Sequence, residues 1–162
     1  MRIMRKMAVL QAAVLIVSAF SLVTGCGKDS DSSAEASKPL KEITADVINC
    51  GVEFPEMVEV AEDNFQLKYS LTADDYDEYS VWWAGSGADA DEVCLIKAKD
   101  SKKVKDAVSD RLEGQKQAFK DYVPEQYDKL CKTEVKTKGD YVYWLCTNDN
   151  SKAEKALNDD FK

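Results

Sequence analysis

Residues 92–127, EVCLIKAKDSKKVKDAVSDRLEGQKQAFKDYVPEQY, carry the decisive change of pattern in this chain. Glu92 to Ala98 is short, rich in β-branched and aliphatic residues, and ends before a polar cluster, which reads as a strand. From Asp100 the period changes. Val104, Val108, Leu112, Gln115, Phe119 and Tyr122 fall on one side of a helix that Asp100 can cap and that should run to about Tyr122. The helix should stop at VPEQY, because the residue before Pro124 is pushed out of helical geometry.

Upstream, Tyr76 to Trp83 places Tyr79, Val81 and Trp83 on one face and Ser80 and Trp82 on the other, the pattern of a strand. The short loop AGSGADAD makes it antiparallel to Glu92–Ala98. Further back, Leu40, Ile43, Val47 and Cys50 recur at helical spacing behind Pro39, with Gly51 as a stop and a break at Pro55. Asn64 to Leu71 suits a short helical turn.

Downstream, Cys131, Thr133, Val135 and Thr137 alternate with charged residues, as on an edge strand. Gly139 turns the chain, and YVYWLC (141–146) is apolar on both faces, as in a central strand. A last helix from Asp149 or Ser151 carries Ala153, Leu157 and Phe161. The expectation is a single α+β domain over residues 39–162: a four-stranded, mainly antiparallel sheet packed against the long central helix, with N- and C-terminal helices.

The first 25 residues have a different logic. Arg2, Arg5 and Lys6 precede the apolar run MAVLQAAVLIV, and LVTGC ends at Cys26, the order of a secretory signal. LVTGC resembles the lipobox of bacterial lipoproteins. That resemblance implies a signal peptide over residues 1–25 and a diacylglyceryl thioether on Cys26, hence palmitate-type anchoring. Two acyl chains hold a protein on a membrane at ~0.8 kcal/mol per buried methylene. GKDSDSSAEASK then reads as a solvated tether up to residue 38. The expected location is the outer face of the cytoplasmic membrane, with the membrane as a partner through Cys26.

Composition narrows the function. Without Arg2, Arg5 and Lys6 the chain keeps 19 basic and 30 acidic residues, a net −11. Such a field repels phosphate backbones, so nucleic acid is not an expected partner. There is no histidine, which removes the commonest general base and the usual zinc imidazole. No cofactor or metal is expected. DADE and NDDF lack calcium-loop spacing and read as solvated acidic loops.

Three groups of residues stand out. Arg111 and Gln115 lie on the core-facing stripe of the long helix, where polar groups need partners. They form either an anion site or a structural anchor, with Glu92 as the partner of Arg111. The aromatics of the two main strands make either a platform for wall sugars or peptide, or core. Cys50, Cys94, Cys131 and Cys146 lack CxxC spacing. A two-residue turn at Lys138-Gly139 would set Cys131 opposite Cys146 within disulfide reach, whereas a three-residue turn would set it opposite Leu145.

Taken together, ADEVCLIKAKD, RLEGQKQAFKDYVPEQY and KGDYVYWLCTND behind a lipobox resemble the lipoproteins of domain of unknown function 4358, known mainly from Gram-positive anaerobes. The resemblance spans Ile43 to Phe161, and its pattern falls on Glu92, Arg111, Gln115, Phe119, Tyr122, Pro124, Gly139 and Tyr141. It departs at Cys94, where a plain aliphatic is expected. The family has no assigned activity. The resulting expectation is a non-catalytic binding or accessory lipoprotein with an envelope protein or cell-wall ligand as partner. The alternatives are a wall- or peptide-modifying enzyme using carboxylates and a structural subunit of a surface complex.

Overall fold

Alternation along the middle strands organises the molecule, which the computed structural model describes over residues 34–162. In chain order the elements are α1 (Leu40–Ile48), β1 (Met57–Glu59), α2 (Glu62–Tyr69), β2 (Tyr76–Ala84), β3 (Glu92–Ala98), α3 (Ser101–Phe119), α4 (Pro124–Cys131), β4 (Lys136–Lys138), β5 (Tyr141–Cys146) and α5 (Asn150–Asp159). Neighbouring strands all pair antiparallel, in the order β1-β2-β3-β5-β4. The class is therefore α+β, but the sheet has five strands where four were expected. The extra one is β1, which follows Pro55 and pairs with Trp82–Ala84. Three residues are too few for alternation to show in a sequence.

β3 lies in the middle and is covered on both sides. Cys94 and Ile96 pack with Val81, Val142 and Trp144 beneath Val104, Val108 and Leu112 of α3. Val93 and Leu95 pack on the other face with Tyr141, Tyr143 and Leu145 beneath α1 and α5. Helices on both faces explain why β3 and β5 read as apolar runs and not as alternating ones. Thr44 of α1 and Ser80 of β2 meet at 2.7 Å within the second layer, a buried hydroxyl pair that satisfies both groups.

Asp100 caps α3 by accepting a hydrogen bond from the Lys103 N–H at 3.0 Å. The helix ends at Phe119, one turn earlier than expected, and Tyr122 is 74% exposed instead of lying on the core stripe. Val123-Pro124 does more than end it. Pro124 occupies the first turn of α4, the place where its missing N–H costs nothing.

α4 overrides the strand expected from Cys131. The chain is helical through Cys131, and only Lys136–Lys138 pairs with β5. The hairpin turns at Gly139-Asp140, with Lys138 opposite Tyr141 and Gly139 at φ +57°. This is a Gly-X turn with glycine first, so neither expected register forms. Cys131 is exposed at the helix end, Cys146 is buried in β5, and both are free thiols, so no bridge joins them.

The segment read as the end of the tether lies against the domain. Ala36 bridges Phe161, and Glu35 and Lys162 exchange backbone hydrogen bonds. Cys26 and the signal sequence fall outside the described residues. Among those residues, no helix is long and apolar enough to cross a membrane.

Candidate functional site

Glu92 opens β3 with the parity of Cys94 and Ile96, so its side chain points beneath α3 and is fully buried. A carboxylate there needs donors on both oxygens. Arg111, near the middle of α3, supplies two: Nε donates to Oε1 at 3.3 Å and Nη2 to Oε2 at 2.7 Å. Gln115, one turn further along, donates to Oε2 at 3.4 Å. The Tyr69 hydroxyl, at the end of α2, donates to Oε1 and accepts from Trp144 Nε1 at 3.1 Å. The structure thus brings together Glu92, Arg111 and Gln115, and adds Tyr69 and Trp144, which have no sequence pattern of their own.

The guanidinium lies between two rings, 5.8 Å from the Tyr69 centroid and 5.6 Å from that of Trp83, within cation–π range. Burial works against the Arg111 charge, but the Glu92 carboxylate more than offsets it, and Arg111 titrates above its ordinary value. Burial, then the adjoining Cys94 thiol and Glu92, hold the Tyr69 phenol well above its usual range. Tyr69 therefore stays a neutral donor, and the network is a charged pair with its hydrogen bonds supplied from inside the protein.

Beside it opens a cleft of about 340 Å³ between α3 and the loop after β2. Arg111 and Gln115 form part of its lining, with Lys68, Asp89 and Asp91, and Trp83, Phe119 and Tyr122 give it an apolar wall. Arg111 spends Nε and Nη2 on Glu92, which leaves Nη1 without an acceptor among the described residues.

Asp91 is the second buried carboxylate. DADE reads as a solvated loop, yet Asp91 is 2% exposed and Glu92 is fully buried. Lys129 of α4 pairs with Asp91 Oδ2 at 2.7 Å, while Oδ1 is buried with no hydrogen-bond partner. Burial raises the Asp91 pKa despite the Lys129 charge. No periodicity could have exposed this residue. The available signal was its place beside Glu92 at a strand entrance.

The aromatics expected as a platform are mostly core. Tyr76, Tyr141, Tyr143 and Trp144 are buried, and among them and their neighbours only Tyr79, Trp82 and Trp83 remain half-exposed.

The family described as Domain of unknown function (DUF4358) matches residues 51–147, more than half of the chain. The chain belongs to this family. The DUF4358 match takes in Tyr69, Asp91, Glu92, Arg111, Gln115 and Lys129, so the whole network and the cleft beside it lie within the part that defines the family. Helices α1 and α5, which cover the opposite face, lie outside it. No curated protein and no solved structure gives a significant match to the chain.

Proposed function

We propose that this chain is an extracytoplasmic lipoprotein, held at the outer face of the cytoplasmic membrane through Cys26, whose domain is a non-catalytic binding module for an envelope ligand. The observation that carries the binding reading is the cleft beside the Arg111–Glu92 pair. Its floor is rigid because the ion pair is buried and internally hydrogen-bonded, and its size lies in the range of small-ligand sites, ~300–1,000 Å³.

The chemistry of the lining favours binding over turnover. Glu92 has its oxygens engaged by Arg111, Gln115 and Tyr69, so it has no free lone pair facing the cleft for attack or proton abstraction. Burial drives the Cys94 thiol far above its ordinary pKa and pushes that of Cys146 up to about 12, so neither supplies a thiolate at neutral pH. The basic–apolar–lipobox order at the N-terminus supports the location.

One experiment tests the binding half. The lipidated protein is incubated with soluble wall fragments, separated from them, and the bound and free fractions are weighed by mass spectrometry. Retention of fragments with unchanged mass supports the module. Fragments returned cleaved or extended would replace it with the carboxylate-enzyme reading, and no retention would remove a wall ligand. In parallel, Cys26→Ala protein should leave the membrane fraction or remain unprocessed. A mature-sized, membrane-bound Cys26→Ala species would refute the anchor.

A further inference from the structure

The chain enters the domain at one pole of the sheet. Ala34 lies over the β4–β5 turn, where a β-carbon at Gly139 would stand 3.4 Å from the Ala34 backbone. The next residues are pinned at the same place. Glu35 and Lys162 exchange backbone hydrogen bonds, and the Ala36 N–H donates to the Tyr141 hydroxyl at 3.3 Å. Ala98, the last residue of β3, donates its N–H to the Asp140 carbonyl at 2.8 Å, and α3 begins three residues later at Ser101. The cleft lies at the opposite pole. Its α3 residues run from Arg111 to Phe119, and at 1.5 Å per residue they stand ~15–27 Å along the helix from Ser101. Glu92, beneath Arg111, begins the strand that Ala98 ends. The helix therefore runs back along β3, from the pole where the chain enters to the pole where the cleft opens.

We propose that the pole around Gly139-Asp140 is the surface this domain turns to the bilayer, and that the cleft opens away from it, toward ligands arriving from the wall side. The inference rests on the lipid-anchor reading. Cys26 precedes Ala34 by eight residues. Whatever their conformation, eight residues reach at most ~26–29 Å. Laying the cleft on the bilayer would use almost all of that reach to lead the chain back along α3, and holding a segment fully extended costs backbone entropy. With the Gly139 pole down, no such extension is needed. A tether running on to residue 38, as the composition suggests, would be long enough to allow either orientation. The pinning of residues 34–36 removes that freedom. Charge does not select the pole, because Lys99, Lys102 and Lys103 stand there among Asp74, Asp77 and Asp100.

Fluorescence quenching on vesicles tests this. The full lipidated chain, in a Cys50→Ser, Cys131→Ser background, receives one new thiol. Asp140→Cys places it on the exposed turn, and Gly87→Cys on the cleft rim, where an added β-carbon meets nothing within 4 Å. Cys94 and Cys146 are buried and stay unlabelled. Each new thiol takes an NBD fluorophore, and the protein is reconstituted in phosphatidylcholine vesicles with and without a lipid spin-labelled on its headgroup. The Asp140→Cys label should lose most of its emission to the quencher, and the Gly87→Cys label should keep most of its own. Lys99→Cys, beside the turn, is a second probe of the same pole and should behave as Asp140→Cys. A Gly/Ser spacer inserted between Ser33 and Ala34 should narrow the difference. Equal quenching at both poles, or stronger quenching at Gly87→Cys, in protein that floats with the vesicles would overturn the orientation and leave the anchor standing. A difference that survives the spacer unchanged would overturn the tether argument on which the orientation stands. Protein that does not float would overturn the anchor and the orientation together.

Discussion

Arg111 meets Glu92 side-on, with Nε at 3.3 Å and Nη2 at 2.7 Å from the two carboxylate oxygens, and so ties the middle of α3 to the first residue of β3. The two side chains differ in exposure. Glu92 is sealed, whereas the Arg111 side chain keeps 14% of its surface. Arg111 therefore anchors the helix and also forms part of the cleft lining. A single residue links the packing of the domain to the chemistry of its candidate site.

Breaking that pair should be expensive. Arg111→Met leaves Glu92 buried with only Tyr69 and Gln115 as donors, and loss of one partner of a buried pair costs ~3–5 kcal/mol. Arg111→Lys keeps a charge but not the side-on geometry, so it should fall between wild type and Arg111→Met. Urea denaturation at neutral pH reads both. An Arg111→Met midpoint equal to wild type would mean that the pair contributes nothing to the fold.

The four domain cysteines should divide by location. Cys131 is exposed and Cys50 partly so, while Cys94 and Cys146 are buried in the layer beneath α3. Alkylation of native protein followed by mass spectrometry should modify Cys131 first and Cys50 more slowly. Cys94 and Cys146 should react only after unfolding. Rapid native labelling of Cys146, or a Cys131–Cys146 cross-linked peptide, would contradict the placement of Cys131 at the end of α4.

The same residues show what a sequence can and cannot reveal here. The face-splitting of Tyr79, Val81 and Trp83 from Ser80 and Trp82, the Asp100 cap and the inward turn of Arg111 were legible because each depends on local periodicity or local hydrogen bonding. α4 was not legible. Its one buried residue is Leu130, so an eight-residue helix shows no apolar repeat, and the chance alternation from Cys131 suggested a strand. β1 was too short to show a period. Asp91 had only its place beside Glu92 to mark it, since its partner Lys129 is 38 residues away.

Asp75 should govern part of the acid response. The Lys103 ammonium at 2.5 Å, then the Thr72 N–H at 2.8 Å, hold its carboxyl at about 2, below its ordinary 3.8. A carboxyl depressed in the folded state adds stability that is present above the unfolded pKa and is lost as pH falls through the folded one. Wild type should therefore lose stability between about pH 4 and 2 more steeply than Asp75→Asn. Thermal melts across that range measure the two slopes. Parallel curves would remove Asp75 from the acid limb.

Asp91 and Lys129 should respond unequally to loss of their partners. The Asp91 side chain is 1% exposed, whereas that of Lys129 keeps 15%. Asp91→Asn leaves a lysine that can turn toward water. Lys129→Met leaves a sealed carboxylate with no partner on either oxygen, because Oδ1 already lacks one. Lys129→Met should thus be the more destabilising at neutral pH, toward the upper end of the ~3–5 kcal/mol expected for a broken buried pair. Its pH dependence should run opposite to that of Asp75. Burial already raises the Asp91 pKa, and removing the lysine raises it further, so the folded protein binds a proton more readily than the unfolded chain. Stability then rises as pH falls. The deficit of Lys129→Met relative to wild type should shrink when urea melts at pH 7 are repeated at pH 5. A deficit that is constant or growing over that interval would show that Asp91 is hydrated and not sealed beneath α4.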